Sequence, residues 1–374
     1  MPTYSQNQSV FTLSILANLG STITGTLDQI EATLANTIDT QLLSFQPEIG
    51  TWTVVWGPAV YQALGSNRVD NVMYVAQGGT DTAIPGQLVV AIAGTDPYSA
   101  FDWLLEDTLV STLVPWPTGT PPRSADPRIS LGTFLGLSIL RNLRAGPRQP
   151  GAGTLLTDFL TTGLPGSPSI TVTGHSLGGA LSPALSLFLS DTQGTWNPTG
   201  RTRLNCLASA GPTPGNADFV TYYNSQLGAA TTRYWNAIDV VPHVWQATDI
   251  AAIPDLYAPS IPPDVLVQAL AAAARAISLI GGYTQIEPVA GLPGTVNSSL
   301  INPAVPDFNN YFNQLTYQHV DAYPILLGVP KIGTVWSAVS ASHQAIAPEA
   351  KLAALRVALQ RKLLMGATGF IRTL

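Results

Sequence analysis

Apolar residues recur along the chain with two different spacings, which predict helices in some segments and strands in others. A spacing of three or four over residues 8–45 predicts a helix, and short apolar runs at 52–57, 71–76 and 87–93 predict three strands. The last run has almost no polar position, which is typical of a strand that is covered on both faces of its sheet.

The second half of the chain continues this alternation. It predicts a surface loop over the proline-rich residues 115–127, strands at 170–172, 204–209 and 234–238, and helices at 131–143, at 181–189, at 264–280 and at 345–364. Strands that alternate with helices predict an α/β fold with a mostly parallel central sheet flanked by helices. Active sites in such sheets lie at the carboxyl ends of the strands.

Composition limits the partners more than the fold. Only 10% of the residues are charged, against about 25% in a typical soluble domain, and the formal net charge of −6 comes without a basic stripe. This balance argues against a nucleic-acid partner. The most apolar stretch, residues 265–280, is interrupted by Gln268, Arg275 and Ser278, so we expect no transmembrane span.

Residue types that bind metals are few and scattered. Cys206 is the only cysteine, and the four histidines show no metal-ligand spacing, so the sequence implies neither a metal nor another cofactor. The mildly apolar residues 10–18 lack the basic region that begins a secretory signal. The acidic, weakly charged composition suits a secreted enzyme, but it does not fix the location.

Residues 171–180, Thr-Val-Thr-Gly-His-Ser-Leu-Gly-Gly-Ala, place a Gly-x-Ser-x-Gly pentapeptide between a strand pattern and a helix pattern. This context is typical of a nucleophile elbow, a sharp turn that lifts the Ser176 hydroxyl above the sheet. Gly174 and Gly178 leave room for the turn. The N–H groups at the start of the following helix favour negative charge, which makes Leu177 a candidate oxyanion donor. The alternative, a chance Gly-Ser-Gly loop, is disfavoured by the flanking pattern.

A nucleophilic serine needs an imidazole to take its proton and a carboxylate to orient that imidazole. The carboxylate is expected at the end of a later strand. Asp239 ends the apolar run 234–238 and precedes a proline turn, which is the expected position for an active-site carboxylate. A turn-capping aspartate without catalytic function is the alternative.

The base is harder to assign. The chain order serine, acid, histidine excludes His175, and His243 follows Asp239 so closely that the chain would have to fold back tightly. His319 and His343 both remain, each in a predicted loop, and pattern alone gives His319 only a slight edge.

A second oxyanion donor is expected after an earlier strand. Gly94 and Thr95 follow the most apolar strand of the chain. Gly94 lets the backbone approach a substrate, and Thr95 offers both an N–H and a hydroxyl. An ordinary strand-end turn is the alternative.

Several of these segments, taken in order, resemble the fungal-type (class 3) lipase family over residues 70–325. The resemblance rests on Ile92-Ala-Gly-Thr-Asp96 with Asp102-Trp103 and Asp107, Gly132-Thr-Phe134, Gly174-His-Ser-Leu-Gly-Gly-Ala180, Ala210-Gly-Pro-Thr-Pro-Gly-Asn216 with Phe219, Asn236-Ala-Ile-Asp-Val-Val-Pro242 and Tyr317-Gln-His-Val-Asp-Ala-Tyr323. Since the last segment is similar to the one that carries the family's base, it raises His319 above His343. The resemblance implies an α/β-hydrolase-like fold with Ser176, Asp239 and His319 as a catalytic triad.

The domain organisation combines the resemblance with the pattern along the chain, since residues 1–50 and the tail beyond about Gly328 are not explained by the family pattern. We expect one α/β-hydrolase domain over residues 1–374 with four additions, an N-terminal helical region at 1–50, a lid and loop at 96–127, a cap insertion at 247–306 and a C-terminal helical extension at 328–374. The cap is expected because the interval between the acid and the base is longer than in compact fungal members.

The resemblance also implies a lid, for which residues 99–110 are the candidate. On a helix, Phe101, Leu104, Leu105 and Leu109 share one broad apolar face with Trp103 near its edge. Such a face covers a pocket in water and turns toward lipid at an interface. Ordinary core packing is the alternative.

The residues and the resemblance together predict a serine hydrolase of acylglycerol-type esters, with triacylglycerol lipase as the first choice. A non-lipolytic feruloyl or short-chain esterase and a phospholipase are the alternatives with the same chemistry. A catalytically silent lipid-binding protein on the same fold is the alternative of another class. The expected partner is a lipid or small ester substrate, with transient contact to a lipid interface, and the oligomeric state is open.

Overall fold

The computed structural model describes residues 2–94, 111–163, 169–198, 200, 202–286 and 291–336. Its strands are β1 Trp52–Tyr61, β2 Asn71–Gly78, β3 Leu88–Ile92, β4 Leu113–Pro115, β5 Arg128–Ser130, β6 Ser169–His175, β7 Arg203–Ser209 and β8 Thr231–Tyr234. Its α-helices are α1 Gln6–Ala17, α2 Leu27–Ile49, α3 Leu131–Asn142, α4 Leu156–Gly163, α5 Leu177–Asp191, α6 Gln193–Trp196, α7 Ala217–Leu227, α8 Ala247–Ile250, α9 Val265–Gly281, α10 Asp307–His319 and α11 Ala322–Leu326. Residues 330–336 are also helical.

Six strands form the central sheet in the order β1-β2-β3-β6-β7-β8. The β1–β2 and β2–β3 pairs are antiparallel, whereas β3, β6, β7 and β8 run parallel to one another. This confirms the predicted α/β fold with a mostly parallel central sheet flanked by helices. The carboxyl ends of the four parallel strands therefore meet at one edge of the sheet, where the predicted site residues follow them.

Side chains of the central strands alternate between two apolar cores, because successive residues of a strand face opposite sides of the sheet. Met73 and Val75 of β2 pack into a core under α3, α4, α5 and α7. Val72 and Tyr74 pack into the opposite core with α1, α2 and the segment 320–336. Every residue of β3 is buried, as the nearly continuous apolar run predicts.

The prediction of one continuous helix over residues 8–45 is wrong, since the chain forms two helices there. A short 3-10 turn, Asn18–Thr22, ends α1, and α2 begins after Thr26. The Thr26 N–H donates to Gln29 Oε1 (3.0 Å), which is half of a helix N-terminal capping box. The first helix also differs in kind from the second, because most of its residues are buried, whereas α2 is amphipathic.

The predicted strand at 234–238 lies too late in the sequence. Pairing with β7 ends at Tyr234, opposite Ser209, so β8 occupies the four residues Thr231–Tyr234 instead. Asn236 then turns the chain, because its Oδ1 accepts from the Ile238 N–H (3.2 Å). The helices predicted at 131–143 and 264–280 are confirmed as α3 and α9, and the one predicted at 345–364 lies outside the described residues.

The segment between Trp245 and the start of α10 builds a third apolar core. Ile250, Tyr257 and Leu266 pack there against Phe308 and Phe312 of α10, the helix that ends at His319. This segment therefore supports the helix that carries one of the predicted site residues. Within the described part of the chain, no helix is long and apolar enough to cross a membrane.

Glu31 of α2 is a carboxyl group inside the protein, with only 4% of its surface exposed. It packs against Gly146, where a Cβ would collide with the carboxylate. Burial, together with repulsion from Asp28, raises the pKa of Glu31 to about 7. The fold therefore contains a group whose charge changes near neutral pH, on the side of the sheet that carries α1 and α2.

Candidate active site

The sharp turn at Ser176 joins β6 directly to α5. Ser176 adopts φ 61° and ψ −123°, a conformation that residues other than glycine rarely take. Two backbone hydrogen bonds hold it there, from Ser176 N–H to Ser209 O (3.0 Å) and from Gly179 N–H to Ser176 O (2.8 Å). The strain is thus maintained by the neighbouring strand and by the helix, and the hydroxyl stands at the carboxyl end of the sheet.

The two glycines of the pentapeptide lie where backbone segments nearly touch. A Cβ at Gly178 would lie 2.5 Å from the carbonyl oxygen of Ile92, at the end of β3. A Cβ at Gly174 would collide with the backbone of Gly178. Any larger residue at either place would push α5 away from the sheet, which explains why the turn requires glycine on both sides of the serine.

Asp239 is fully buried in the turn that follows β8. Its Oδ1 accepts from the Val241 N–H (3.0 Å). Its Oδ2 accepts from the Tyr323 hydroxyl (2.9 Å) and lies 2.8 Å from His319 Nδ1. Three donors therefore surround this carboxylate, and they fix its orientation in the absence of water contact.

His319 connects the carboxylate to the serine. Its Nε2 lies 2.8 Å from Ser176 Oγ, while its Nδ1 is on Asp239, and the ring is 1% exposed. The expected loop position is wrong, because His319 is the last residue of α10. The preceding residue anchors this helix end, since Gln318 Nε2 donates to Thr295 O (2.7 Å) and its Oε1 accepts from Asn236 Nδ2 (2.8 Å).

Ser176, Asp239 and His319, which the sequence predicts as a set, thus form one hydrogen-bonded chain although up to 143 positions separate them. The predicted Thr95 lies outside the described residues, as do the predicted lid residues Phe101, Trp103, Leu104, Leu105 and Leu109 and the alternative base His343. Leu177 is described and begins α5, so its N–H belongs to the first helical turn, where backbone donors have no partner within the helix.

Tyr323 is a site residue that sequence reasoning did not single out, although it ends the segment similar to the family's base motif. Its hydroxyl donates to Asp239 and accepts from the Asn236 N–H (2.9 Å), and the side chain is fully buried. Burial, and then the adjacent Asp239 carboxylate, raise the pKa of Tyr323 well above its ordinary value. The hydroxyl therefore keeps its proton and acts as a permanent donor to the carboxylate.

Two further histidines lie beside the hydrogen-bonded chain of Ser176, His319 and Asp239. The His175 ring is 4.9 Å from the His319 ring and packs edge-on against Trp336 (4.5 Å) and Tyr323 (5.1 Å). Burial lowers the pKa of His175 well below its ordinary value, with the nearby His319 as a second cause, so this ring stays neutral beside His319. His243 does fold back onto Asp239, but its Nδ1 reaches the backbone oxygen (2.6 Å) and not the carboxylate.

Several known lipases are similar to this chain. Residues 154–248 match the family model described as Lipase (class 3). The chain is similar to M37 lipase, with 33% identity over 87% of this chain and 93% of that chain and a TM-score of 0.77. Two other similar structures are a mutant form of MDLA from Penicillium cyclopium (18% identity, 78% of this chain and 80% of that chain, TM-score 0.45) and lipase II from Rhizopus niveus (17%, 65%, 76% and 0.44). No curated protein sequence matches the chain.

Proposed function

We propose that this chain, which belongs to the class 3 lipase family of the α/β-hydrolase superfamily and is a carboxylic ester hydrolase, cleaves acylglycerol-type esters through an acyl-enzyme formed on Ser176. The observation that carries the proposal is the buried hydrogen-bond chain from Asp239 through His319 to Ser176, with both links at 2.8 Å. A serine hydroxyl becomes a nucleophile when an oriented imidazole accepts its proton.

In the first half of the reaction, Ser176 Oγ attacks the ester carbonyl carbon and its proton moves to His319 Nε2. The carbonyl oxygen becomes an oxyanion, which accepts from backbone N–H groups at Leu177 and Thr95. When the intermediate collapses, the bond to the alkoxy oxygen breaks and His319 returns the proton to the departing alcohol. The acyl group then remains on Ser176.

In the second half, a water molecule replaces the alcohol. His319 takes one of its protons, the water oxygen attacks the acyl carbon, and the bond to Ser176 Oγ breaks as the serine recovers a proton. Asp239 accepts from His319 Nδ1 and stabilises the imidazolium that forms twice in each cycle. Its three donors hold it in place, so little reorganisation is needed when the charge appears on His319.

The insertion at 247–306 supplies a cap with an apolar outer surface. Helix α9 exposes 78% of Val265, 60% of Leu279 and 89% of Ile280. Leu113, which follows the proposed lid in the sequence, packs against the third apolar core, to which α9 also contributes. Transfer of such exposed apolar side chains from water into a lipid surface lowers the free energy. A water-insoluble substrate, of which triacylglycerol is the first choice, fits this surface and the family.

The assignment is tested by hydrolysis of p-nitrophenyl esters and of emulsified triacylglycerol by three variants. We expect Ser176→Ala and His319→Ala to lose activity by about 10⁴-fold or more, as loss of a triad member does. His343→Ala is the matched control, because it removes the other candidate base, and it is expected to keep wild-type activity. Full activity in Ser176→Ala would refute the proposal. Loss of activity in His343→Ala but not in His319→Ala would assign the general base to His343.

A further inference from the structure

Helix α10, which ends at His319, carries three buried side-chain amides on one face. Asn310, Gln314 and Gln318 are spaced four residues apart, so they lie one above another along the helix. Asn310 is 2% exposed, and the two glutamines are fully buried. A buried amide costs free energy unless both of its ends are hydrogen-bonded, so each of these side chains needs a donor and an acceptor from the protein.

The first two amides bind the backbone of the segment that precedes α10. Asn310 Nδ2 donates to Asn302 O (3.0 Å), and its Oδ1 accepts from the Asn302 N–H (2.9 Å). Gln314 makes the same pair of bonds with Asn297, as donor to the carbonyl oxygen (2.6 Å) and as acceptor from the N–H (3.0 Å). Each amide thus satisfies both polar groups of one backbone residue and anchors α10 to the segment before it.

Gln318 divides its bonds between two different segments. Its Nε2 donates to Thr295 O (2.7 Å), which continues the pattern of the other two amides. Its Oε1 instead accepts from Asn236 Nδ2 (2.8 Å), and the same Nδ2 also donates to Gln318 O (3.1 Å). Gln318 is therefore the member of the set that reaches the turn after β8, residues 235–239, which we call the acid turn because it carries Asp239.

Asn236 connects this contact to the rest of the acid turn. Its side chain is enclosed, since a Cβ at Gly294 would collide with its Oδ1, and that Oδ1 accepts from the Ile238 N–H (3.2 Å). Its backbone oxygen accepts from the Asp239 N–H (2.9 Å). A continuous series of hydrogen bonds therefore runs from the end of α10 to the residue whose carboxylate lies 2.8 Å from His319 Nδ1.

The bond to Gln318 O also stabilises the end of the helix. The last carbonyl groups of an α-helix have no N–H partner within it, and helix ends fray. The Asn236 amide supplies a donor to one of these carbonyl groups, one residue before His319. The backbone beside His319 is thereby fixed to the acid turn.

We propose that Gln318 is a positioning residue for His319: through Asn236 it holds the end of α10 against the acid turn. The imidazole is thereby kept within hydrogen-bond distance of Asp239 and Ser176 at the same time. This inference rests on the proposed function, in which His319 takes the proton of Ser176. Proton transfer requires heavy atoms about 2.6–3.2 Å apart, and a displacement of about 1 Å can cost about 10²-fold in rate. Both bonds of His319 are 2.8 Å, so a shift of the helix end by less than this is sufficient to lengthen them beyond the range.

The test compares Gln318→Met with Gln314→Met, the same substitution one helical turn earlier. Methionine has a similar length and no amide, and both glutamines are fully buried, so both variants are expected to lower the urea midpoint of unfolding. Gln314→Met breaks the bonds to Asn297 and a long contact from Gln318 Nε2 (3.4 Å). It leaves Gln318 bound to Thr295 and Asn236, so only Gln318→Met removes the contact to the acid turn.

For Gln318→Met we expect kcat on a soluble p-nitrophenyl ester to fall by about 10- to 100-fold per active site. KM is expected to change by less than about threefold, because binding of the ester precedes the proton transfer that His319 must perform. Gln314→Met is expected to keep kcat within about twofold of wild type. Active sites are counted by titration with a fluorophosphonate to completion, so a fraction that fails to fold does not enter kcat.

Asn236→Ala breaks the same contact from the other side and is expected to lower kcat by a similar factor. In the double variant with Gln318→Met, the loss of kcat is expected to stay close to that of the larger single effect, because both substitutions remove one shared interaction. Effects that multiply in the double variant would overturn this shared contact as the cause. If Gln318→Met yields no titratable protein, Asn236→Ala is compared with Gln314→Met in its place.

Three outcomes separate the possibilities. A lower kcat in Gln318→Met, with KM unchanged and Gln314→Met active, supports the positioning function. A loss of kcat in Gln318→Met that is no larger than that in Gln314→Met, with Ser176→Ala inactive, overturns the positioning function and leaves the proposed triad intact. Wild-type hydrolysis by Ser176→Ala overturns the proposed function itself, whatever Gln318→Met does.

Discussion

Tyr323→Phe isolates the contribution of a single hydroxyl to the buried carboxylate. The hydroxyl makes two hydrogen bonds, as donor to Asp239 Oδ2 (2.9 Å) and as acceptor from the Asn236 N–H (2.9 Å). Phenylalanine fills nearly the same volume, so the substitution removes these bonds without opening a cavity of any size. The carboxylate keeps its bonds to Val241 N–H and to His319.

The expected loss of stability follows from the two bonds. A hydrogen bond to an ionised group contributes about 1.5–3 kcal/mol, and a buried N–H left without a partner costs about 1–3 kcal/mol. We therefore expect the free energy of unfolding to fall by about 2.5–6 kcal/mol, which leaves a folded protein if its stability lies above the low end of the about 5–15 kcal/mol typical of a domain. For kcat/KM we expect a decrease of about 10-fold, equivalent to about 1.4 kcal/mol, because the carboxylate turns more freely but remains present.

The assay is kcat/KM on a soluble ester, together with urea unfolding. Tyr311→Phe is the control, since its buried hydroxyl donates to Ile253 O (2.7 Å) and not to Asp239. If both variants lose stability and neither changes kcat/KM, Tyr323 has only a structural function and does not position the carboxylate.

Four further predictions concern other parts of the molecule. The raised pKa of Glu31, about 7, means that the stability this group contributes is complete below about pH 4.5 and is lost as the pH rises through 7. We therefore expect Glu31→Gln to unfold at a higher urea concentration than wild type at pH 8. At pH 4.5 the two proteins are expected to unfold at the same urea concentration. Gly178→Ala is expected to lower kcat by about 100-fold or to prevent folding, whereas Gly194→Ala, whose Cβ would meet nothing within 4 Å, is expected to change neither kcat nor the unfolding midpoint. Asp239→Asn is expected to lower kcat by about 10⁴-fold on a soluble ester while far-ultraviolet circular dichroism stays unchanged. Ile280→Glu is expected to lower activity on emulsified triacylglycerol several-fold but not on a soluble ester, and Leu43→Glu, at a similarly exposed site away from α9, is expected to lower neither.

The sequence was sufficient to predict candidate site residues whose signals lie in neighbouring positions. The elbow is predictable because a strand, two glycines and a helix surround Ser176 within ten positions, and the turn needs all of them. Asp239 is predictable from its place after an apolar run, although the strand itself ends at Tyr234. The choice of His319 over His343 came from the family resemblance and not from periodicity.

Sequence was insufficient where a contact joins distant segments with no local signature. Asn236 and Gln318 lie 82 positions apart, and no pattern near Gln318 marks it as a partner of the acid turn. The division of residues 8–45 was missed for a related reason. Most of helix α1 is buried, so it lacks the polar face that would have given it a boundary of its own.

Labelling with a fluorophosphonate, mapped by peptide mass spectrometry, identifies the nucleophile and measures whether His319 activates it. We expect one adduct per chain, located on Ser176, which forms rapidly in the wild type and at least about 10³-fold more slowly in His319→Ala. An adduct on another residue would show that Ser176 is not the nucleophile, and a rate of labelling unchanged in His319→Ala would show that His319 does not activate it.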